Sequence, residues 1–230
     1  MPSVLVTGAN RGIGLGLARS YAGDGWRVFA TCRAPRAATE LTEIAAGASG
    51  RVSVHALDVT DGAGVTALAA ALKSEAIDVL VNNAGVGESG YSFGATDYAA
   101  WGHTLDVNAM APMRMAEAFV EHVARSQRRA IVAITSAMGS MADNRSGGYV
   151  AYRSSKAALN MVMVTLAVDL RPRGITAVAI HPGWVQTEMG GPGAKLTVAQ
   201  SVANLRATID KLTPAQSGKF FNHSGEEFPW

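Results

Sequence analysis

The sequence predicts an α/β fold, a single-domain Rossmann-type doubly wound parallel sheet with helices on both faces. Three observations carry this. Short β-branched or apolar runs recur at 4–7, 27–31, 52–57, 77–81, 130–135 and 175–180, each bounded by Gly, Asp, Asn or Pro. Longer Ala- and Leu-rich stretches with helical spacing lie between them, at 13–22, 65–72, 101–123, 149–170 and 198–212. The strand runs are apolar throughout rather than alternating, as strands covered on both faces are. Strand and helix alternating in this way give a parallel sheet. A last run at 219–222 reads as an edge strand.

The chain has 230 residues, 48% apolar and 17% charged, which predicts one domain over 1–230 with a full core. A net charge of +2, from 20 basic and 18 acidic residues, gives no electrostatic footprint for nucleic acid or an anionic membrane. The single cysteine, Cys32, excludes an internal disulfide and a Cys-rich zinc module. No apolar run reaches the roughly 18 residues of a membrane span. The opening Met-Pro-Ser-Val-Leu-Val-Thr-Gly runs straight into a strand, without a secretory signal. A cytoplasmic protein is expected. The loops at 87–96, 139–148 and 187–196 each follow a strand, and ligands of open parallel sheets bind at that end.

The first strand leads into Thr7-Gly8-Ala9-Asn10-Arg11-Gly12-Ile13-Gly14 and then a helix. Glycine lets the backbone turn tightly and a phosphate approach the amides, and the helix start adds free N–H groups. An ordinary loop is the plainer reading of such a turn in isolation; its place after the first strand favours a nucleotide. The spacing Gly-x-x-x-Gly-x-Gly differs from the Gly-x-Gly-x-x-Gly fingerprint. An NAD site wants a carboxylate near the end of the second strand. Thr31-Cys32-Arg33 stands there instead, and Asp24 lies at the wrong end of that strand. Arg33, with Arg11 across the turn, suits the 2′-phosphate of NADP(H), although either arginine alone reads as solvated.

Further along, Asn108 interrupts an apolar helix, where Asn has poor propensity. Pro112, four residues on, has no N–H, which leaves the Asn108 carbonyl free to hold a water; a simple kink is the alternative. Ser136 ends a strand just before the next helix, where its hydroxyl can meet a substrate oxygen. On that helix Tyr152 and Lys156 are four residues apart, hence on one face. An ammonium beside a phenol favours the phenolate, so such a tyrosine can exchange a proton with a carbonyl or alcohol. A surface Tyr and a solvated Lys would share this spacing, and the company of Ser136 and Asn108 argues against that.

Together these residues resemble the short-chain dehydrogenase/reductase family from the first strand to the last residue. In addition to the glycine turn, Asp58-Val59 looks like its adenine-contacting pair and Asn82-Asn83-Ala84-Gly85 like its cofactor-lining segment. His181-Pro182-Gly183-Trp184-Val185-Gln186-Thr187 is similar to the segment that holds the nicotinamide. The resemblance implies a catalytic tetrad of Asn108, Ser136, Tyr152 and Lys156. It also implies a cofactor site of Gly8, Asn10, Arg11, Gly12, Ile13, Gly14, Arg33, Asp58, Val59, Asn83, Ala84, Gly85, Tyr152, Lys156, Pro182, Gly183, Val185 and Thr187. Hydride would pass from NADP(H), with NAD(H) as the second choice, to a small-molecule carbonyl. Tyr152 would protonate the alkoxide, Lys156 would bind the ribose and lower the tyrosine pKa, and Ser136 would orient the carbonyl.

Finer features resemble the sniffer-type carbonyl reductases and the C-factor signalling proteins: Thr31-Cys32-Arg33, then Ser217-Gly218-Lys219-Phe220-Phe221, Gly225 and Phe228-Pro229-Trp230. Ser136 and Tyr152 are 16 apart, wider than the wider family's usual spacing but similar to that group. Thr135 and Ser140 are weaker alternatives to Ser136, and Gly139 has no hydroxyl. An enzyme is the leading class; a signalling protein that holds the dinucleotide without turnover is the second. The family's oligomers imply a homodimer or homotetramer through the 101–123 and 149–170 helices. His55, His103, His122, His181 and His223 lack metal-ligand spacing. Cys32 reads as a packed thiol, and Met110, Met113, Met115, Met161 and Met163 as packing between helices.

Overall fold

A computed structural model describes residues 1–87 and 93–230; positions 88–92 of the expected 87–96 loop lie outside the described residues. Among the described residues seven strands form one sheet: β1 (Ser3–Val6), β2 (Arg27–Cys32), β3 (Val52–Ala56), β4 (Val79–Asn82), β5 (Ala130–Ile134), β6 (Thr176–Ile180) and β7 (Phe220–Phe221). Their order is β3-β2-β1-β4-β5-β6-β7 and every pairing is parallel. Strands β1, β4, β5 and β6 are buried along their whole length, so their apolar runs need no alternation. The last run of the sequence supplies β7 as an edge strand of two residues.

Among the described residues seven α-helices cover the two faces: α1 (Gly12–Gly23), α2 (Thr39–Gly47), α3 (Gly62–Ala71), α4 (Tyr98–Leu105), α5 (Ala111–Ala124), α6 (Val150–Asp169) and α7 (Val198–Asp210). Period-2 alternation along each strand divides the core. Val4, Val28 and Val178 meet Leu17, Tyr21, Leu41 and Leu205 of α1, α2 and α7. Leu5, Leu80 and Ile131 meet Leu68, Met115, Phe119 and Leu159 of α3, α5 and α6. Each such side chain taken wholly out of water contributes about 1.5–3 kcal/mol.

The structure departs from the sequence reading in three places. Helix α2 was not expected; it is short and buries only Leu41. The stretch 101–123 is not one regular helix, because a π-helical segment, Asp106–Met110, separates α4 from α5. The Ala111 N–H reaches back to the Asp106 carbonyl, and Pro112 brings no N–H to continue the α pattern. Among the methionines, Met115 and Met163 are buried as expected, but Met110 and Met161 stand exposed on the outward sides of their helices.

The chain builds outward from β1 to β2 and β3, then returns to add β4 on the other side of β1. The β1 and β4 ends therefore frame the topological switch point, where a ligand crevice opens in such sheets. Their loops are tied together there. The Thr7 hydroxyl accepts the N–H groups of Asn83 and Ala84, both at 3.0 Å. The Asn83 side-chain amide donates to the Thr7 and Gly8 carbonyls at 2.9 and 3.1 Å. Asn83→Ala leaves both carbonyls without this donor and is expected to cost about 1–3 kcal/mol in urea unfolding. In a cycle with Thr7→Val, the double variant should lose less than the two single losses combined, since they share one network.

Candidate active site

The glycine turn is a crowded place. Gly8 and Gly12 hold left-handed backbone, φ +64° and +54°. A Cβ on Gly8 would lie 2.9 Å from the Ala84 Cα. One on Gly14 would lie 2.3 Å from the Gly8 carbonyl oxygen and 2.4 Å from the Asn83 Nδ2. Only glycine permits this approach of β1 loop to β4 loop. Helix α1 begins at Gly12 with no side chain capping it, so its first N–H groups face the crevice open to an acceptor. Ile13 is half-buried against the core beneath, while Asn10 is exposed at the rim.

Around this cradle the other expected cofactor residues arrange as follows. Arg33 is exposed just after β2, close enough to Asp58 to help lower its pKa, although the Thr60 N–H lowers it most. The Asp58 carboxylate accepts the Thr60 N–H and hydroxyl, and Val59 is buried behind it. Cys32 is buried, and burial pushes its thiol pKa up, as befits a packed thiol. The Arg11 guanidinium is ion-paired with Glu188 of the β6–α7 loop. Next to that pair, Gly12 lies under the Thr187 methyl, and the Thr187 hydroxyl accepts the Gly190 N–H at 3.1 Å. The segment after β6 is fixed from below: the buried Ser201 of α7 donates to the Pro182 carbonyl at 2.7 Å. Gly183, at φ +84°, packs against Leu196 and His223, and Val185 is buried. Burial keeps His181 neutral, its pKa lowered to about 4.

Beyond the cradle, Gly85 connects it to the candidate catalytic side chains. A Cβ there would lie 3.2 Å from the Asn108 Oδ1 and 3.6 Å from the Lys156 Nζ. Asn108 is fully buried on the π-helical segment. Its Oδ1 accepts the Val86 N–H, and its Nδ2 donates to the Val86 carbonyl and the Ser155 hydroxyl, all at 2.9–3.0 Å. Its side chain is thus spent on holding the β4 loop to α6. The buried Lys156 Nζ donates to the Ile134 carbonyl at 3.0 Å and lies 5.8 Å from the Tyr152 ring centre. Gly139 packs directly on the Lys156 backbone.

The three hydroxyl candidates have different partners. Thr135 donates to the Asn160 Oδ1 at 2.7 Å. Ser140 accepts the Asp143 N–H and donates to the Trp230 main-chain oxygen. Ser136 caps the short 3-10 turn Ala137–Gly139, accepting the Met138 N–H, and is the hydroxyl that faces Tyr152 closely enough to lower its pKa. Burial outweighs that contact, and the Tyr152 pKa is raised overall. The expected depression by Lys156 is therefore not seen. Desolvation dominates the phenol, and the ammonium is turned to Ile134 rather than to the phenolic oxygen. Tyr152 is delivered by an unusual helix start. Gly147, Gly148 and Tyr149 are all left-handed, and Arg153 holds the first two carbonyls, each at 3.2 Å. A left-handed non-glycine residue costs about 1–2 kcal/mol.

Sequence reasoning did not single out the Thr7 hydroxyl that ties the β4 loop or the Ser155 hydroxyl that meets Asn108. Thr7 carried a signal, its place in the glycine turn; Ser155 meets Asn108 only through a contact distant in sequence. Among the described residues no three His, Cys, Asp or Glu side chains gather as a metal site would require, and no helix is long and apolar enough to cross a membrane.

Comparison with known proteins adds to this geometry. The family model for short chain dehydrogenases matches residues 2–195. The chain is 46% identical to C-signal of Myxococcus xanthus over 154 residues, 67% of this chain and 93% of that protein. In three dimensions it is similar to the carbonyl reductase Sniffer of D. melanogaster, with a TM-score of 0.94, 36% identity and full coverage of both chains. An NADPH-bound carbonyl reductase from chicken fatty liver gives a TM-score of 0.93 at 35% identity, covering 100% of this chain and 99% of that one.

Burial sets Lys156 at a pKa of about 8, down from 10.5. Between those pH values the unfolded chain binds the proton that the folded chain has released, so folding stability rises with pH across that window. Lys156→Met should be more stable than the wild type at pH 7 by roughly 1–2 kcal/mol. Urea titrations at stepped pH should show the advantage shrinking from pH 8 to 10.

Proposed function

This chain belongs to the short-chain dehydrogenase family, and on that premise we propose that it is an NADP(H)-dependent carbonyl reductase acting on an aldehyde, ketone or quinone. The convergence of Ser136, Tyr152 and Lys156 beside the glycine cradle carries the reading. The crowding at Gly8 and Gly14 and the uncapped start of α1 fit a pyrophosphate. Gly8, Asn10, Gly12, Ile13 and Gly14 would hold it, with Asp58 and Val59 toward the adenine. Asn83, Ala84 and Gly85 would line its middle, and Pro182, Gly183, Val185 and Thr187 the nicotinamide. Arg33 would take the 2′-phosphate, joined by Arg11 as it exchanges Glu188 for phosphate. When bound, the dinucleotide supplies the hydride for the carbonyl carbon.

The protein's own residues then manage the oxygen. Ser136 donates a hydrogen bond to it and aligns it with Tyr152. The raised pKa keeps the Tyr152 phenol protonated at neutral pH, as a general acid for reduction must be. Lys156, with a pKa of about 8, is mostly charged at pH 7 and can return a proton to the phenol. Asn108 keeps Lys156 and the β4 loop in register, and Pro112 offers no N–H to its carbonyl, which supports a water-holding role. The protein would work in the cytoplasm as a homodimer or homotetramer through the 101–123 stretch and α6, where Met110 of the π-helical segment and Met161 and Val168 of α6 are exposed.

The likeness to C-signal favours a second reading, a signalling or regulatory protein that binds the dinucleotide without needing turnover. A wild-type protein that binds NADPH yet reduces nothing in a panel of aldehydes, ketones and quinones would favour it.

Tyr152→Phe should lower reduction by about 10²–10⁴-fold while NADPH affinity, read by fluorescence titration, stays nearly intact. In the wild type, alcohol oxidation needs the phenolate, so its rate should climb with pH into the alkaline range. Loss of one charge-assisted contact costs about 1.5–3 kcal/mol, so Arg33→Ala should weaken NADPH binding by roughly 10–100-fold. NADH binding should barely change, and equal catalytic efficiency with NADH and NADPH would refute the phosphate assignment.

A further inference from the structure

The turn that carries Ser136 is gripped from two sides. Inside the turn, the Gly139 N–H donates to the Ser136 carbonyl and the Ser140 N–H to the Ala137 carbonyl, both at 2.9 Å. On one side α6 fixes it: Gly139 lies on the Lys156 backbone, and the Asn160 amide donates to the Gly139 carbonyl at 3.3 Å. On the other side is Trp230. Its main-chain oxygen accepts the buried Ser140 hydroxyl at 3.1 Å and the Ala142 N–H at 2.8 Å. That oxygen closes the turn before the chain continues toward Tyr149 and Tyr152.

Trp230 is itself well anchored. Its indole stacks on Phe220, ring centres 5.4 Å apart, and Phe220 is fully buried on β7. Phe228 packs edge-on against the same ring, and its N–H donates to the Phe220 carbonyl at 2.7 Å. A Lys219–Glu227 ion pair and a Phe221–Glu227 bridge complete the return of the chain over β7. The edge strand, which contributes little to the sheet, is thus the platform on which Trp230 reaches the Ser136 turn.

We propose that Trp230 is a positioning residue for catalysis, its main-chain oxygen holding the Ser140–Ala142 backbone so that Ser136 faces Tyr152. The proposal rests on the carbonyl-reductase reading. It assigns Trp230 no contact with substrate or dinucleotide. A misplacement of about 1 Å at a reacting group can cost 10²-fold in rate.

The test uses the full chain, a variant lacking Trp230, Trp230→Phe and Ser140→Ala. Removing Trp230 should lower kcat by roughly 10–100-fold, with NADPH affinity nearly unchanged. Trp230→Phe keeps both the main-chain oxygen and a ring for Phe220, and should restore kcat. Ser140→Ala removes one of the two bonds, leaves the fold in place and should lower kcat to a lesser degree. Hydrogen exchange adds a readout that needs no turnover: the Gly139–Asp143 amides should exchange faster without Trp230, while those of β1 and β4 do not. Unchanged exchange in this turn, or a kcat loss matched by an equal loss of NADPH affinity or thermal stability, would overturn the proposal. Faster exchange in the turn with no reduction by the wild type would uphold the clamp and refute the reductase reading instead.

Discussion

The pairing of Thr7 with Asn83 is the constraint on which the rest of the molecule depends. β1 and β4 are neighbours in the sheet but belong to opposite directions of growth, and the Thr7–Asn83 contacts carry their pairing past the end of the ladder. A hydroxyl that accepts two N–H groups and an amide that donates to two carbonyls supply these contacts. That closeness in turn dictates glycine at 8 and 14, since the Asn83 amide and the Gly8 carbonyl occupy the space a side chain would need. It also brings Ala84 and Gly85 under the crevice, and Gly85 leads directly to Asn108 and Lys156. Cradle and candidate catalytic side chains are one continuous object.

The cost of that object is concentrated on α6. An ammonium is buried with a single carbonyl as partner, a phenol is desolvated, and a tyrosine starts the helix in left-handed backbone. None of these stabilises the fold. They persist because α6 is held on both sides: by its packing on the sheet through Leu159 and Met163, and by Asn108 and Gly139 pressed against its first turns. The π-helical segment belongs to the same arrangement, since it places Asn108 between the β4 loop and Ser155.

The sheet was legible in the sequence because buried parallel strands write themselves as uninterrupted β-branched runs with Gly or Asp at their ends. The π-helical segment was legible only as a misplaced Asn and a proline; periodicity over so few residues does not separate α from π. Helix α2 left no apolar stripe to read, as it buries one residue. The sequence ranked Ser136 above Thr135 and Ser140 but could not show their partners, and in the fold Thr135 donates to Asn160 and Ser140 to Trp230. The Arg11–Glu188 pair was invisible for the same reason: two loops far apart in the chain meet only in the folded molecule. The burial that dominates Tyr152 is likewise a property of its surroundings and not of the Tyr-x-x-x-Lys spacing.

The crowding of the glycine turn has a consequence for how such a site could diversify over generations. Gly8 and Gly14 have no room for a side chain, so nearly every codon change there is a dead end. Arg11 and Arg33 are exposed at the rim, outside the buried core, with Arg11 held by its ion pair to Glu188. If Arg11 and Arg33 are the dinucleotide-selecting groups proposed above, drift and selection could retune that choice at the rim, while the close approach of the β1 and β4 loops stays locked in the backbone.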